Sequence, residues 1–214
     1  KQTYCNQVTS YIRSLIRKGT LEIGAPVKEA VLSEQLGISR APIREALQVL
    51  VQEGLITSEP QKGKHVRQMT GKEIYDSYVV AGILEGAGVA ESLPLWTEAN
   101  METFRSVVRQ MEGKISYATK LDELAEIDEL FHATLFMACD NTRLVEMART
   151  SCATISKYLY YQHWITMFTP REYADRHHAV AEAVYSRDVK HVETALRDHY
   201  KETGLRMAQF GKEA

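Results

Sequence analysis

Three predicted helices each carry an acid or a histidine in the middle of an otherwise apolar stripe. The helix near residues 120–138 holds Asp128 and His132 four positions apart, and two later helices hold His177 and His199 in the same setting. Side chains three and four positions apart share one face of a helix, so all four groups are predicted to face the core. Imidazoles with a carboxylate suit a divalent transition metal, with zinc as first choice and Ni²⁺ or Mn²⁺ as alternatives.

The residues alone leave a second interpretation open. A buried carboxylate or imidazole needs a partner, because an unpaired polar group is costly in a protein interior. The four groups could therefore form a hydrogen-bond network without a metal. Cys139 lies on the stripe of Asp128 and His132, where it could add a soft ligand or simply pack as a small apolar side chain.

A second set of candidates is basic and lies in the first third of the chain. Arg40 and Arg44 are four positions apart on one predicted helix, which Ser39 can cap and whose first turn tolerates Pro42. Arginine donates paired hydrogen bonds to guanine and also binds phosphate. The helix is therefore a candidate for reading DNA in the major groove, although two solvated arginines would give the same pattern.

The segment after this helix predicts a hairpin with a basic tip. Two short strands flank a turn in which Lys62 and Lys64 enclose Gly63. Basic groups at such a tip can contact the DNA backbone or the minor groove. Helices followed by a hairpin within residues 1–69 are the layout of a winged helix-turn-helix domain.

Charge and composition fit a DNA-binding module joined to a larger domain. Residues 1–70 carry ten Lys or Arg against six Asp or Glu, whereas residues 71–214 carry sixteen against twenty-two. A basic part beside an acidic part indicates a polyanion binder with a second domain. The three cysteines are scattered and show no C-x-x-C spacing, which favours a reducing compartment, so we expect a cytoplasmic protein. No apolar run approaches the roughly 20 residues of a membrane span, and no membrane partner is expected.

Beyond residue 69 the sequence predicts only helices. Breaks fall at proline, glycine and Asp-Asn positions, and apolar residues recur with helical rather than alternating spacing. We predict a mainly α protein, with a winged helix-turn-helix domain over residues 1–69 and an all-α bundle over 70–214. The helices of this bundle are predicted at 72–92, 98–117, 120–138, 142–165, 171–186 and 189–209.

The segment GISRAPIREALQVLVQEGLI, residues 37–56, resembles the DNA-binding domain of the GntR family of bacterial repressors. The resemblance extends upstream through GTLEIGAPVKEAVLSEQLG. It implies that the helix and the wing contact double-stranded operator DNA. The residues assigned to this surface are Ser39, Arg40, Pro42, Arg44, Lys62, Gly63 and Lys64. One arginine contact of the fatty-acid-responsive member falls at Ala30 here, so the operator sequence is not carried over.

The helical part resembles the effector domain of the FadR-type subgroup of that family. Its metal-binding members carry D-x-x-x-H, then H-x-x-[IV]-x-x-A, then a histidine 22 positions on, and this chain has DELFH, HHAVAEA and a histidine at that distance. The resemblance implies that the metal ligands are Asp128, His132, His177 and His199, whereas His178 is out of register. Effector domains of this subgroup pair as two-fold dimers, which matches a palindromic operator and implies a homodimer.

Many members of the subgroup also place an arginine three positions before an L-E pair, where it binds an effector carboxylate. The chain has Ala81 before Leu84-Glu85, so the small-molecule effector stays open and no effector-binding residue is assigned. An aromatic cluster could line an effector pocket or pack at an interface. This cluster consists of Tyr158, Tyr160, Tyr161, His163 and Trp164.

Together these patterns predict a ligand-responsive, DNA-binding transcriptional regulator that represses a metabolic operon. Two alternatives are a regulator that senses the metal itself and a metal-dependent hydrolase or lyase, since a metal with open positions can activate water. The sequence contains no H-E-x-x-H or other catalytic signature. No catalytic residue is therefore assigned, and we do not expect an enzyme.

Overall fold

The structure, a computed structural model, describes residues 3–213 and divides into two compact units. The first unit joins the chain up to Thr70 with residues 153–162 and the stretch from Lys212, and the second joins residues 71–152 and 163–211. The sequence predicted two continuous domains, and the interruption at residues 153–162 was not part of that prediction.

Three helices and a hairpin form the main part of the first unit. Its helices α1 (Tyr4–Arg17) and α3 (Arg40–Gln52) pack through apolar side chains at helical spacing, of which Ile12, Ile43 and Leu47 are completely buried. Gly37 ends α2 (Glu29–Leu36) in the left-handed conformation, with φ of 64°, and the extended Ser39 precedes α3. These elements are α1 (Tyr4–Arg17), α2 (Glu29–Leu36), α3 (Arg40–Gln52), β1 (Ile56–Glu59) and β2 (Gly63–Val66).

The hairpin is an antiparallel pair in which Ile56 lies opposite Val66 and Glu59 lies opposite Gly63. Its turn needs left-handed backbone at Gln61 and Gly63, with φ of 64° and 84°. Glycine adopts that conformation without a steric penalty from a β-carbon, which accounts for its position at the tip. The predicted fold class, a winged helix-turn-helix followed by helices, is confirmed.

The second unit is built of helices throughout its described residues. Short 3₁₀ turns at Leu93–Leu95 and Leu121–Leu124 precede α5 (Glu98–Ile115) and α6 (Ala125–Leu135). Its core consists of large side chains between the helices, including Phe104 and Phe131. The remaining helices of the chain are α4 (Gly71–Ser92), α5 (Glu98–Ile115), α6 (Ala125–Leu135), α7 (Thr142–Ser151), α8 (Tyr161–Trp164), α9 (Pro170–Tyr185) and α10 (Val189–Ala208).

The single helix predicted over residues 142–165 is wrong. The chain forms α7, a π-helical turn at Ile155–Leu159 and the short α8. Thr150 and Ser151 donate their hydroxyls to carbonyls one turn back, and such bonds bend and weaken a helix. Residues 153–162 then pack within the first unit, which the local sequence pattern does not encode.

Helices α4 and α10 lie antiparallel and unusually close because glycines line their contact. A β-carbon on Gly82 would stand 2.8 Å from the β-carbon of Tyr200, and one on Gly204 would stand 2.8 Å from that of Tyr78. Within the described residues, Gly71–Leu95 is the one helical stretch long and apolar enough to cross a membrane, yet half of its most apolar window is buried inside the protein. That burial is typical of the central helix of a globular domain.

Candidate metal centre and nucleic-acid interface

Three histidines from three helices converge inside the second unit. His132 of α6, His177 of α9 and His199 of α10 each offer one ring nitrogen, and these nitrogens lie within 4.8 Å of one another. His177 is buried, whereas His132 and His199 are partly buried. The structure therefore brings together three side chains that are separated by 45 and 22 positions in the sequence.

Neighbouring groups fix which nitrogen faces the cluster in two of the three rings. The Nδ1–H of His177 donates to the carbonyl oxygen of Tyr173 at 2.8 Å, and Nδ1 of His132 lies 2.6 Å from the Glu85 carboxylate. Both rings are thereby oriented with Nε2 toward the cluster, the arrangement that metal-binding histidines usually have. Nδ1 of His199 is buried and has no hydrogen-bond partner within residues 3–213.

Asp128 lies beside the three histidines. Its Oδ1 accepts a hydrogen bond from the Tyr173 hydroxyl at 3.0 Å and lies 3.1 Å from Nε2 of His177. The same oxygen is 4.0 Å from Nε2 of His132. All four residues predicted as metal ligands are therefore neighbours in space.

The electrostatics of the cluster hold Asp128 ionised. Burial alone would raise the pKa of Asp128, but its contacts with His177 and with the Tyr173 hydroxyl, and the charge of nearby His132, lower it to about 2. Burial lowers the pKa of His177 and lowers that of His199 strongly, where nearby Arg176 adds to the effect. At neutral pH these two imidazoles are neutral.

His132 behaves differently because two carboxylates face it. Burial would lower its pKa, but the charge and hydrogen bond of Glu85 and the charge of Asp128 raise it to about 9. Tyr200 donates its hydroxyl to the other oxygen of Glu85 at 2.7 Å. Glu85 thus joins α4, α6 and α10 at one buried carboxylate.

The donor set fits a metal ion on chemical grounds. Since Nδ1 of His177 donates to a carbonyl, Nε2 of the neutral ring presents a lone pair to the Asp128 oxygen only 3.1 Å away. Two acceptors at that separation repel unless a proton or a cation lies between them. The unpartnered Nδ1 of His199 is a further donor atom for the same ion.

Two neighbours of the predicted ligands lie outside the cluster. Nε2 of His178 lies 3.5 Å from a Glu112 carboxylate oxygen, and the side chain of His178 is half-buried, with 43% of its surface exposed. Cys139 follows the end of α6 and is not among the grouped ligand atoms of the described residues. Of the two adjacent histidines, the one assigned as a metal ligand from the sequence, His177, is therefore the one that faces inward.

Sequence reasoning missed Glu85, Tyr200 and Arg176. Arg176 donates to the backbone oxygen of His199 at 2.5 Å and to Glu202 at 2.7 Å, which holds α9 against α10 beside the cluster. Glu85 did leave a signal, since it is the one charged residue in the apolar run 77–90. Arg176 left none, because a charged residue beside a buried histidine is ordinary on an amphipathic helix.

The predicted aromatic cluster does not form one pocket. Tyr160 exchanges hydrogen bonds with the backbone of Met69, and Arg17 lies 4.0 Å above the ring of Tyr161, both within the first unit. His163 stacks on Phe210 with ring centres 4.0 Å apart. Packing explains these positions.

The basic residues assigned to DNA lie on α3 and on the hairpin. Arg40, Arg44 and Ser39 are exposed at the start of α3, with Pro42 in its first turn, and Lys62 and Gly63 are exposed at the hairpin turn. Lys64 is half-buried. The arrangement leaves the first turn of α3 open to a groove, as in helix-turn-helix proteins.

Glu29 of α2 lies between two of these basic groups. Its carboxylate is 3.1 Å from Nζ of Lys64 and 3.4 Å from Nε of Arg44. Burial would raise the pKa of Glu29, but Lys64 and Arg44 lower it below its usual value. The acid therefore connects the recognition helix to the wing, and Lys62 pairs separately with Glu59 at 2.8 Å.

Comparison with known proteins decides the family. Residues 5–66 match the family described as "Bacterial regulatory proteins, gntR family", and residues 76–202, more than half of the chain, match the FCD domain. The chain belongs to the GntR family, in the group with an FCD domain. As a GntR regulator it is a DNA-binding transcriptional regulator and not an enzyme, because the family and its relatives regulate transcription.

Two sequence relatives of this GntR regulator are named as transcriptional repressors, and a solved structure shares its fold. It is 26% identical over 193 residues to the HTH-type transcriptional repressor RspR of Escherichia coli K12, covering 89% of this chain and 82% of that protein. It is 30% identical over 148 residues to a probable D-xylose utilization operon transcriptional repressor of Paenarthrobacter nicotinovorans, covering 68% and 63%. E. coli McbR/YncC shares the fold with a TM-score of 0.70 at 19% identity, over 98% of this chain and 99% of that one.

Proposed function

We propose that this GntR regulator is a ligand-responsive repressor of a metabolic operon that binds operator DNA as a homodimer in the cytoplasm. Support comes from relatives whose names state such a role, among them the D-xylose repressor and a Bacillus subtilis gluconate operon repressor, 29% identical over 64% of this chain and 55% of that protein. A small sugar or sugar-acid metabolite is therefore the effector class we propose.

We further propose that Asp128, His132, His177 and His199 hold one divalent transition metal, most simply zinc. The observation that carries this proposal is the pair of acceptors, His177 Nε2 and Asp128 Oδ1, that face each other at 3.1 Å beside an unpartnered nitrogen of His199. When bound, the metal supplies a Lewis-acid position to which an oxygen of a small effector can bind.

Neighbouring groups of the protein would hold the metal ligands in their orientations. Glu85 and the Tyr173 carbonyl hold the imidazoles of His132 and His177 in orientation, and Arg176 fixes the backbone at His199. The side chain of Asp128 is partly exposed, whereas that of His177 is almost completely buried. We therefore expect an effector to approach the metal from the side of Asp128.

On the DNA side, Arg40 and Arg44 contact the major groove and Lys62 with Gly63 contacts the backbone from the wing. Lys64 acts mainly by holding Glu29, which in turn positions Arg44. Ser39 and Pro42 set the start of the recognition helix. Specificity is thus assigned to the two arginines, and the wing adds sequence-independent affinity.

Fluorescence anisotropy with DNA from the region upstream of the gene that encodes this protein tests the function. We expect tight, salt-dependent binding to one two-fold symmetric sequence, lost in the Arg40→Ala/Arg44→Ala variant. Gluconate, xylose and related compounds are then added to the complex. In a His199→Ala variant DNA binding should persist while the response disappears, and unchanged operator binding by the double-arginine variant would refute the DNA assignment.

A regulator that senses the metal itself is the second candidate function. The side chains of Asp128 and His132 are partly exposed, which would help a bound ion to exchange with solvent. A sensed ion must exchange with solvent, so chelator should remove it within minutes and change operator affinity. A resident ion should remain bound through purification and respond only to the organic effector.

A further inference from the structure

The first residue of α2, Glu29, is positioned by the backbone of the wing. Residues 24–27 lead into α2 and run beside β2, to which backbone hydrogen bonds of 2.8–3.0 Å join them. The start of α2 is therefore held against the wing, and the side chain of Glu29 begins from a fixed place. These bonds run from the N–H of Gly24 to the carbonyl of Val66, from that of Val66 to Ala25 and from that of Val27 to Lys64.

The carboxylate of Glu29 uses one oxygen for each of two cations. Its Oε1 accepts from Nζ of Lys64 at 3.1 Å, and its Oε2 accepts from the Nε–H of Arg44 at 3.4 Å. The side chains of Glu29 and Lys64 are 23% and 22% exposed, whereas that of Arg44 is 63% exposed. Lys64 thus anchors the carboxylate at its less exposed side, and Arg44 extends from it into solvent.

The nitrogen that Arg44 uses in this contact decides what the rest of the guanidinium can do. The contact occupies Nε, and neither terminal nitrogen of Arg44 has a hydrogen-bond partner in the part of the chain that the structure describes. The terminal nitrogens are donors for the paired bonds to O6 and N7 of guanine. Because the guanidinium is planar, a carboxylate at Nε also orients the two free nitrogens.

The charge of Glu29 treats a base edge and a phosphate differently. Burial would raise the pKa of Glu29, but Lys64 and Arg44 lower it below its usual value, so the group is an anion at neutral pH. A phosphate that approaches Arg44 or Lys64 also approaches this anion, and like charges repel. A base edge carries no net charge and meets no such repulsion.

We propose that Glu29 is a specificity-determining residue of the DNA-binding surface. It commits Arg44 to a base edge, and it keeps both Arg44 and Lys64 from acting as general phosphate contacts. The proposal deepens the proposed function and rests on it, since it requires that α3 reads an operator. Glu34 on the same helix is exposed and has no ion pair within residues 3–213, so the role belongs to Glu29 alone on α2.

Fluorescence anisotropy of the full-length Glu29→Gln variant tests the proposal, with operator DNA and a scrambled duplex of the same length at several salt concentrations. The amide keeps the size of the side chain and removes its charge. Affinity for the scrambled duplex should rise about 3- to 10-fold and its salt dependence should steepen, because two released cations contact phosphates. The ratio of operator affinity to scrambled affinity should fall at least ~10-fold.

Glu34→Gln is the matched control. It removes one negative charge from the same helix, so it reproduces any effect of net charge on DNA binding. It should leave the ratio of the two affinities unchanged. An unchanged ratio in Glu29→Gln, or an equal fall in both variants, would overturn the proposal.

A double variant tests whether Glu29 acts through Arg44. In the Arg44→Ala background, Glu29→Gln should change the affinity ratio less than about 2-fold, because the base-reading group is already gone. A full effect in that background would contradict the proposed role. If wild type binds both duplexes alike, the proposed operator recognition fails and this proposal with it; if wild type discriminates and Glu29→Gln does so equally well, this proposal alone fails.

Discussion

At the scale of single residues, the most consequential group is the imidazole of His132. Glu85 and Asp128 raise its pKa to about 9 in the metal-free protein, so it carries a proton on Nε2 at neutral pH. A metal needs the lone pair of that nitrogen. Metal binding must therefore displace one proton, and the Glu85 carboxylate then partly neutralises the charge of the ion.

Metal binding should release about one proton per ion at pH 7.5. Protonated His132 competes with the metal below its pKa, so affinity should rise about tenfold per pH unit up to roughly pH 9. Calorimetry in buffers of different ionisation enthalpy measures this release. In Glu85→Gln the released fraction should fall well below one, and equal heats in all buffers for wild type would contradict the assignment of His132.

The four predicted ligands could be found from the sequence because each lies on an apolar stripe of its own helix. Their supporting residues could not. Glu85 contacts His132 and Tyr200, which are 47 and 115 positions away. A contact at that separation depends on how helices pack, and helix periodicity carries no information about it.

At the scale of elements, the close approach of α4 and α10 positions this network. Gly82 leaves room for the backbone of α10 and for Tyr200, whose hydroxyl reaches Glu85. Any side chain at Gly82 would push the two helices apart and displace that hydroxyl from the carboxylate.

Gly82→Ala should destabilise the protein by about 1–3 kcal/mol, since its β-carbon would stand 2.8 Å from that of Tyr200 and 3.3 Å from the backbone of Arg197. Gly113→Ala in α5 is the matched control, because nothing lies within 4 Å of its β-carbon. That change should stabilise by about 0.5–1 kcal/mol through helix propensity. Urea unfolding measures both, and equal effects of the two substitutions would contradict the close contact.

The recognition helix gives a second prediction at this scale. Arg44→Ala should cost on the order of 1–3 kcal/mol of operator binding if the guanidinium reads a base. Arg109→Ala removes an exposed arginine from α5 and should leave operator binding unchanged. Anisotropy with operator and scrambled DNA separates the cases: loss of affinity for both DNAs alike would assign Arg44 to phosphate rather than to a base.

The segment that begins with α7 is where prediction of secondary structure from the sequence failed. Apolar spacing continued through residues 142–165 and predicted one helix, whereas hydroxyl side chains bend the chain and Tyr160 bonds the backbone of Met69. The helix predicted over residues 120–138 is shorter, because Leu121–Leu124 forms a 3₁₀ turn and α6 ends at Leu135. The other four helices predicted beyond residue 69 lie within two residues of their observed ends.

At the scale of the whole molecule, the two compact units match the division of charge in the sequence. The basic N-terminal part carries the GntR match and the acidic helical part carries the FCD match. Composition and the recognition-helix motif predicted a basic DNA-binding part followed by a helical part, but not that residues 153–162 pack within the first unit. The identity of the effector depends on the shape of a bound complex, which neither composition nor motif encodes.

The central claim is a metal held by Asp128, His132, His177 and His199, and elemental analysis tests it most directly. The chain is purified without chelator and then reconstituted separately with Zn²⁺, Ni²⁺ and Mn²⁺. We expect one ion per chain for at least one metal in wild type and in His178→Ala, and none in His199→Ala. No stoichiometric metal in wild type under any of these conditions would contradict the account and leave the four residues as a buried hydrogen-bond network.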